Sequence, residues 1–434
     1  MSVELETRTA VGALMAPRRR IMSRALALAF VASFGASASF YLLLSVVPLY
    51  AASVGAGGVG AGLATGALMA STVLTELVTP RLVARFGYRG VLAAGLVLLG
   101  APALALPGST SMAMILLVCI VRGVGFAIAV VVGGALVAAL VPPERRGEGL
   151  GLSGVVVGVP AVVALPLGVW LVGRVGYPVV FVAGAVTALA GLAAVRGLPG
   201  RRPEPEQPLG VLAGLRTPAL LRPALVFSTT AMAAGVVVTF LPIAVGHSSA
   251  NLVAVALLVQ PAASTLTRWC AGRFGDRHGA ARLLAPAVVA SAAGMLALVL
   301  LANPVAMVVG MAVFGAGFGV AQNASLSLMF DRVPASGYGA VSAVWNLSYD
   351  AGMGVGATGF GVLVGPIGYP AGFALTACVL LAALTLARRE REREHRAAVR
   401  AVALPSARDT LLEGQTHGAA GEVLVPVLTE FLQP

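Results

Sequence analysis

Residues 112–141, MAMILLVCIVRGVGFAIAVVVGGALVAALV, form an apolar stretch that contains a single charged residue, Arg122. About 20 consecutive apolar residues are enough for an α-helix to cross the hydrocarbon core of a bilayer. The stretch therefore predicts a transmembrane helix. Because a charge is costly in lipid, Arg122 is expected to face a cavity or a partner inside the protein.

The composition of the whole chain also indicates a membrane protein. Of its 434 residues, 58% are hydrophobic and 11% are charged, whereas soluble domains are roughly 25% charged. So few charges cannot cover the surface of a water-soluble protein of this length, and the apolar surface requires lipid as its solvent. Twelve spans are predicted, at 25–50, 59–79, 90–106, 112–141, 150–172, 179–195, 223–245, 252–270, 283–302, 305–330, 339–364 and 371–387.

The arginines predict the orientation of these spans. All 29 basic residues are arginine; the loops on one side hold only Arg174, Arg122 lies within a span, and the other 27 lie on or near the opposite side. Basic residues accumulate in cytoplasmic loops, so the N-terminal segment 1–24, the linker 196–222 and the tail 388–434 are predicted to be cytoplasmic. We expect a multi-pass protein of the bacterial cytoplasmic membrane, in which the net charge of +12 sets orientation and does not bind nucleic acid.

The two halves of the chain repeat each other at a constant offset of 192 residues. Residues 175–178, VGYP, fall on 367–370, IGYP, and 123–126, GVGF, fall on 315–318, GAGF. Six-helix repeats whose halves rock about a site near the bilayer midplane are a transporter architecture. The predicted fold class is an all-α membrane protein of twelve transmembrane helices in two pseudo-symmetric six-helix bundles, at 25–195 and 223–387, joined by the Pro-rich linker 196–222.

A loop between spans 8 and 9 carries a family resemblance. Residues 272–282, GRFGDRHGAAR, resemble the loop motif of the major facilitator superfamily (MFS), and the first copy, 80–89, PRLVARFGYR, has Ala84 in place of the acid. The resemblance covers about residues 25–387 and is greatest to multidrug and metabolite efflux permeases. It implies these gating-loop residues: Arg85, Gly87, Arg89, Gly272, Asp276, Arg277, Gly279 and Arg282.

The same resemblance implies how the gate works. The aspartate of the motif caps the N-terminus of a helix in the other half, where a carboxylate meets the positive end of a helix dipole. By analogy, Asp276 would cap span 5 near residues 147–149. Because Ala84 cannot do the same for span 11, the two gates are expected to be unequal.

Charged residues that differ between the halves are the candidates for proton coupling and substrate contact. Asp350 lies near the middle of span 11, and a carboxyl group exposed in turn to two compartments is what proton coupling requires; its alternative role is a structural bond to Asn346 or Arg122. Arg122 is expected to contact an acid or the substrate, or to form a buried lock with Asp350 or Glu76. For Glu76 we favour an arginine partner at the gate, and its counterpart Arg268 is expected to reach the lipid headgroups.

Further polar and aromatic residues within the spans are candidates for lining a cavity. Hydrogen bonds between helices are the commoner role for such residues in membranes. The cavity candidates are Tyr41, Gln260, Gln322, Asn323, Trp345, Asn346 and Tyr349.

The leading functional hypothesis is a secondary transporter that exports a small organic molecule, such as a drug or secondary metabolite, in exchange for protons, as in antibiotic resistance. The alternatives are an importer or facilitator of a nutrient or organic acid, with Arg122 clamping a carboxylate, and a membrane receptor or scaffold that does not transport. We expect a monomer that is not an enzyme, with no cofactor or metal, whose partners are the substrate, protons and the bilayer. The charged run 388–400 is expected to extend the last helix as a solvated helix.

Overall fold

The computed structural model describes residues 22–141, 145–198, 200, 217–246, 249–334 and 337–416. Within these ranges the backbone is helical, with short connecting turns and no β-strand. This is the backbone that lipid requires, since a helix satisfies its own N–H and C=O groups without water. The predicted linker boundary at 201–216 and the end of the tail at 417–434 lie outside the described residues.

Eight stretches of the described chain are long and apolar enough to cross a membrane. Breaks at Gly55 and Gly87 divide the first into three spans, and kinks at Gly176 and Gly368 divide two others into two spans each, in agreement with the twelve predicted spans. The helices are Arg24–Leu44 and Val46–Ala51 (span 1), the π-helical turn Ala52–Ala56, Gly57–Gly100 (spans 2 and 3), the 3-10 helix Ala101–Gly108, Met112–Leu140 (span 4), Arg146–Val195 (spans 5 and 6), Pro218–Val245 (span 7), Ala250–His278 (span 8), Ala281–Ala297 with the 3-10 turn Leu298–Leu300 (span 9), Pro304–Phe330 (span 10) and Tyr338–Thr416 (spans 11 and 12 and an extension).

The sharp turns between spans confirm the internal repeat. Gly176 and Gly368 have φ 78° and 77°, and Gly87 and Gly279 have φ 77° and 87°. Residues with a Cβ rarely adopt such positive φ values, whereas glycine adopts them readily. Each pair is 192 residues apart, so the repeat in the sequence is a repeat in the backbone.

Helix packing repeats in the same way. A Cβ on Gly125 of span 4 would lie 2.6 Å from the carbonyl oxygen of Gly95 in span 3, and a Cβ on Gly317 of span 10 would lie 2.6 Å from that of Ala287 in span 9. Small residues let helix backbones approach closely in membranes. Both halves therefore use the same close helix pair at equivalent positions.

The two halves touch on the side opposite the linker, which we call the far face; the side that carries the linker is the linker face. Ser45 of span 1 donates a hydrogen bond to the carbonyl oxygen of Val238 in span 7 over 2.7 Å, and the hydroxyl groups of Thr65 and Thr239 lie 2.9 Å apart. Spans 5 and 8 also meet here, since a Cβ on Gly173 would lie 3.4 Å from Ala250. Spans 1, 2 and 5 of the first half thus contact spans 7 and 8 of the second half and close the far face.

The closest of these contacts joins span 2 to span 11. A Cβ on Gly62 would lie 2.5 Å from the carbonyl oxygen of Ala357, and a Cβ on Gly361 would lie 2.7 Å from that of Gly58. Real Cβ atoms do not come so near backbone oxygen, so these positions require glycine for the far face to close. Toward the linker face, a Cβ on Gly154 of span 5 or Gly339 of span 11 would meet nothing within 4 Å.

The start of the charged run after span 12 corrects one expectation. Glu390 is buried and forms an ion pair with Arg332, whose guanidinium also donates to the carbonyl oxygen of Ala219 over 2.6 Å; Arg222 lies 3.9 Å from the second carboxylate oxygen. The run was expected to be solvated. Glu390 instead anchors the helical extension after span 12. It pairs with Arg332 in the loop after span 10 and lies near Arg222 at the start of span 7, because the last helix continues far enough to bring Glu390 level with both arginines.

We expect Gly62→Leu to hold the far face open, because the larger side chain cannot fit against Ala357. The measurement is labelling of a single cysteine, Thr239→Cys, by a membrane-impermeant maleimide in protein whose native cysteines have been replaced. The parent should label slowly and the Gly62→Leu variant several-fold faster. Gly134→Leu is the control, since a Cβ there meets nothing within 4 Å; equal labelling of all three proteins would contradict the expectation.

Candidate functional site

A cavity of about 180 Å³ lies between the two halves, behind the closed far face. Span 5 of the first half and span 8 of the second half supply most of its wall, with spans 1, 7, 10 and 11 completing it. Its lining mixes apolar residues with polar and charged ones, and apolar surface with placed polar groups suits a small-molecule site. The lining residues are Tyr41, Leu44, Gly154, Val157, Gly158, Ala161, Leu165, Ala234, Val238, Gln260, Pro261, Ser264, Thr265, Arg268, Phe318, Gln322, Tyr349 and Met353.

The polar part of the wall spans both halves. The hydroxyl groups of Tyr41 in span 1 and Tyr349 in span 11 interact across the interface. Ser264 donates a 3.4 Å hydrogen bond to the side-chain oxygen of Gln322. Arg268 projects into the same space, where its charge acts on Tyr41.

Two carboxyl groups meet beside this cavity, one from each half. Glu76 of span 2 and Asp350 of span 11 lie within hydrogen-bonding reach of each other. Asp350 is 4% exposed. Both carboxyl oxygens of Glu76 and Oδ1 of Asp350 are buried and have no donor partner in the described chain. An ionised carboxylate only accepts hydrogen bonds, so the two acids can bond to each other only when one of them carries a proton.

This pairing corrects the expected partners of both acids. Neither forms an ion pair with an arginine in the described residues, so the gate arginine expected for Glu76 and the lock between Asp350 and Arg122 are absent there. The two spans run antiparallel, and Glu76 and Asp350 follow the Gly62–Ala357 contact along the same helix pair. Their meeting is a consequence of that close packing, which the sequence of either half alone does not reveal.

Arg122 has a different environment from the one expected. It is 1% exposed and donates hydrogen bonds to the carbonyl oxygens of Leu99 in span 3, over 2.6 Å, and Ser39 in span 1, over 3.3 Å. It does not line the cavity between the halves. Its two bonds join three spans of the first half, which is a structural role and not contact with an acid.

The cavity candidates divide into two groups. Tyr41, Gln260, Gln322 and Tyr349 are among the residues that line the cavity. Of the others, Trp345 stacks on Phe227 with ring centroids 4.6 Å apart and donates to the hydroxyl of Ser325 over 3.1 Å, and Asn323 faces Gly272 of span 8. Asn346 is partly buried in span 11 and is not among the lining residues.

Sequence reasoning missed Arg268 as a cavity residue. It was expected to reach the lipid headgroups, but it lines the cavity and lies 5.8 Å from the ring centroid of Trp345. The usable signal was its position: Arg268 is the counterpart of Glu76 at the 192-residue offset, and span 2 and span 8 occupy equivalent places in the two halves.

The gating loops keep part of their predicted geometry. Gly87 and Gly279 turn the chain after spans 2 and 8 with positive φ, and Asp276 is exposed at the end of span 8. The side chains of residues 146–148, at the start of span 5, lie outside the described part of the chain, so the capping of span 5 by Asp276 stays a prediction. The remaining loop residues Arg85, Arg89, Gly272, Arg277 and Arg282 lie on the linker face, at or near the ends of spans 2, 3, 8 and 9.

Two repeated six-helix bundles, a cavity between them and closure on one face define the class of the protein: a multi-pass membrane transporter. The chain belongs to the major facilitator superfamily, whose sequence profile matches residues 29–357 and 224–430. The resemblance seen in the loop motif is thus confirmed at the level of the family, and the chain is a transporter and not an enzyme. No curated protein matches the sequence.

Several solved structures of similar fold are nucleoside or peptide transporters. A variant of the nucleoside transporter NupG matches with a TM-score of 0.66 and 16% identity, over 84% of this chain and 99% of that one. A variant of the peptide transporter POT in complex with sulfate matches with a TM-score of 0.70 and 16% identity, over 88% and 97%. A POT family transporter in complex with a thioalcohol-conjugated peptide matches with a TM-score of 0.70 and 11% identity, over 85% and 96%. At these identities the likeness concerns the fold.

Arg122→Met should destabilise the protein, because it removes the two hydrogen bonds to the carbonyl oxygens of Leu99 and Ser39 that tie span 4 to spans 3 and 1. A hydrogen bond made by a charged group contributes about 1.5–3 kcal/mol. The measurement is the melting temperature of the purified protein in detergent, with Arg273→Met, an exposed arginine on span 8, as the control. An unchanged melting temperature for Arg122→Met would contradict the structural role.

Proposed function

We propose that the chain is a secondary active transporter that exports a small organic molecule in exchange for protons, by alternating access between the two halves. The observation that carries the proposal is the meeting of Glu76 and Asp350 at the contact between spans 2 and 11. Acidic residues within spans are rare and costly, and they accompany proton relays and substrate paths. An acid pair that lies on the moving interface links protonation to conformation.

The linkage follows from elementary electrostatics. Two carboxylates about 4 Å apart repel by about 4 kcal/mol at an effective dielectric constant of 20, whereas one proton converts the repulsion into a hydrogen bond. Protonation therefore favours the conformation in which spans 2 and 11 touch, and loss of the proton favours their separation. Besides Glu76, the titratable groups that face Asp350 are Tyr41 of span 1 and Tyr349 of its own span.

The proposed direction of transport is argued from the orientation of the chain in the membrane and from the lining of the cavity. The asymmetry of the arginines supports a cytoplasmic linker face, and a Cβ on Gly154 or Gly339 toward that face would meet nothing within 4 Å. A cavity that combines apolar and polar side chains and fills from the cytoplasm suits loading of an amphipathic compound for export. The bundles at 25–195 and 223–387 would be the two moving bodies, and the bacterial cytoplasmic membrane the location.

One observation favours the second candidate function, transport of an organic acid inward or by facilitation. A cation lies in the cavity wall, although it is Arg268 and not Arg122, the residue that the sequence suggested. Flux measurements separate the two, because an exporter lowers the amount of substrate in the cell and an importer raises it.

Expression in an efflux-deficient bacterial host should raise tolerance to some compounds in a growth-inhibition panel, and Asp350→Asn or Glu76→Gln should remove that gain. Asp331→Asn, an exposed acid after span 10, is the control and should behave as wild type. Protein levels in the membrane are matched by immunoblot. A wild type that equals the empty vector across a broad panel would argue against export.

Proton linkage predicts a conformational response to pH without any substrate. Labelling of Thr239→Cys from the far face should accelerate as pH rises, because ionisation of both acids separates spans 2 and 11. Glu76→Gln removes the second charge and should make the labelling rate independent of pH. Rates are divided by those of Thr110→Cys, an exposed far-face residue, to remove the pH dependence of the thiol itself; a wild-type ratio that stays flat would refute the linkage.

A further inference from the structure

Arg268 stands in the wall of the central cavity, and the part of the chain that the structure describes holds no ion-pair partner for it. Arg268 is exposed to this space, and in the described residues no carboxylate lies within ion-pair distance of its guanidinium. Its contacts are the ring of Trp345, 5.8 Å away, and the electrostatic influence of Tyr41. Arginine is the side chain that proteins most often use to bind carboxylate and phosphate groups.

Three acids whose side chains the structure describes are engaged elsewhere. Glu76 and Asp350 face each other. Glu390, a buried acid of the linker face, is held by Arg332 and Arg222. Among the described side chains, none of these acids competes with a ligand for the positive charge of the cavity.

The groups around Arg268 complete a site for an amphipathic anion. Phe318 and Met353 supply apolar surface, while Tyr41, Tyr349 and Gln322 supply polar groups at the same wall. A guanidinium binds a carboxylate with two parallel hydrogen bonds, an arrangement that favours planar anions over point charges.

We propose that the cavity binds a small organic anion, with its carboxylate on Arg268 and its apolar body against Phe318 and Met353. The volume of about 180 Å³ is below the roughly 300–1,000 Å³ of sites for drug-sized ligands, which limits the anion to a small one. The inference rests on the proposed function only in taking this cavity as the transport site. It holds for either direction of transport and does not depend on proton coupling.

The test uses matched compounds that differ in charge and little in shape: indole-3-acetate with indole-3-acetamide, and 1-naphthoate with 1-naphthamide. Their binding to the purified full-length protein in detergent is measured by the rise in melting temperature, which follows ligand occupancy. The acid of a pair should stabilise the wild type more than its amide. Arg268→Gln should weaken binding of the acid by roughly tenfold or more and leave binding of the amide unchanged.

Two further variants keep the test specific. Arg268→Lys retains the charge and should keep part of the preference for the acid, whereas Arg273→Gln, an exposed arginine that lies over Trp269, should bind as wild type. The inference is overturned if acid and amide stabilise the protein equally, or if Arg268→Gln binds the acid as well as wild type does. Failure of the pH-dependent labelling with the acid preference intact would instead remove proton coupling and leave this site standing.

Discussion

Lipid as a solvent is the constraint on which the rest of this structure depends. An apolar solvent cannot hydrogen-bond the backbone, so the described chain is helical wherever it crosses the membrane. It also makes each internal charge expensive, and few are present. Four of these charged residues have different surroundings that offset the cost. Arg122 donates to backbone carbonyls, Glu76 and Asp350 face each other, and Arg268 lines a cavity.

The duplication explains why these charges are informative. The glycines at the kinks and the closely packed helix pairs recur at the same offset, because the helices of both halves pack in the same way. Helix packing does not require charged residues to repeat. A charge that is present in only one half therefore indicates a position at which the two halves have different roles. Glu76 and its counterpart Arg268 illustrate this: equivalent positions place an acid at the interface in one half and a base at the cavity in the other.

The glycine contact between spans 2 and 11 connects the fold to the proposed mechanism. It closes the far face and, further along the same helix pair, brings the two acids together. The energy of the acid pair therefore depends on a contact that alternating access must break. In the proposal for Arg268, the charge of the substrate is bound at a separate point of the cavity. The residue that recognises the substrate is therefore different from the residues that couple transport to protons.

The sequence by itself determined the membrane setting, the spans, the repeat and the family, because apolar length and a fixed offset are local or periodic signals. It also identified Tyr41, Gln260, Gln322, Tyr349, Asp350 and Glu76 as residues worth attention. Only the tertiary structure decided their partners: that Glu76 faces Asp350, that Arg122 holds backbone carbonyls, that Arg268 reaches the cavity and that Glu390 is buried. Those outcomes depend on how helices from distant parts of the chain are rotated against each other, and hydrophobicity does not encode that rotation when every face of a helix is apolar.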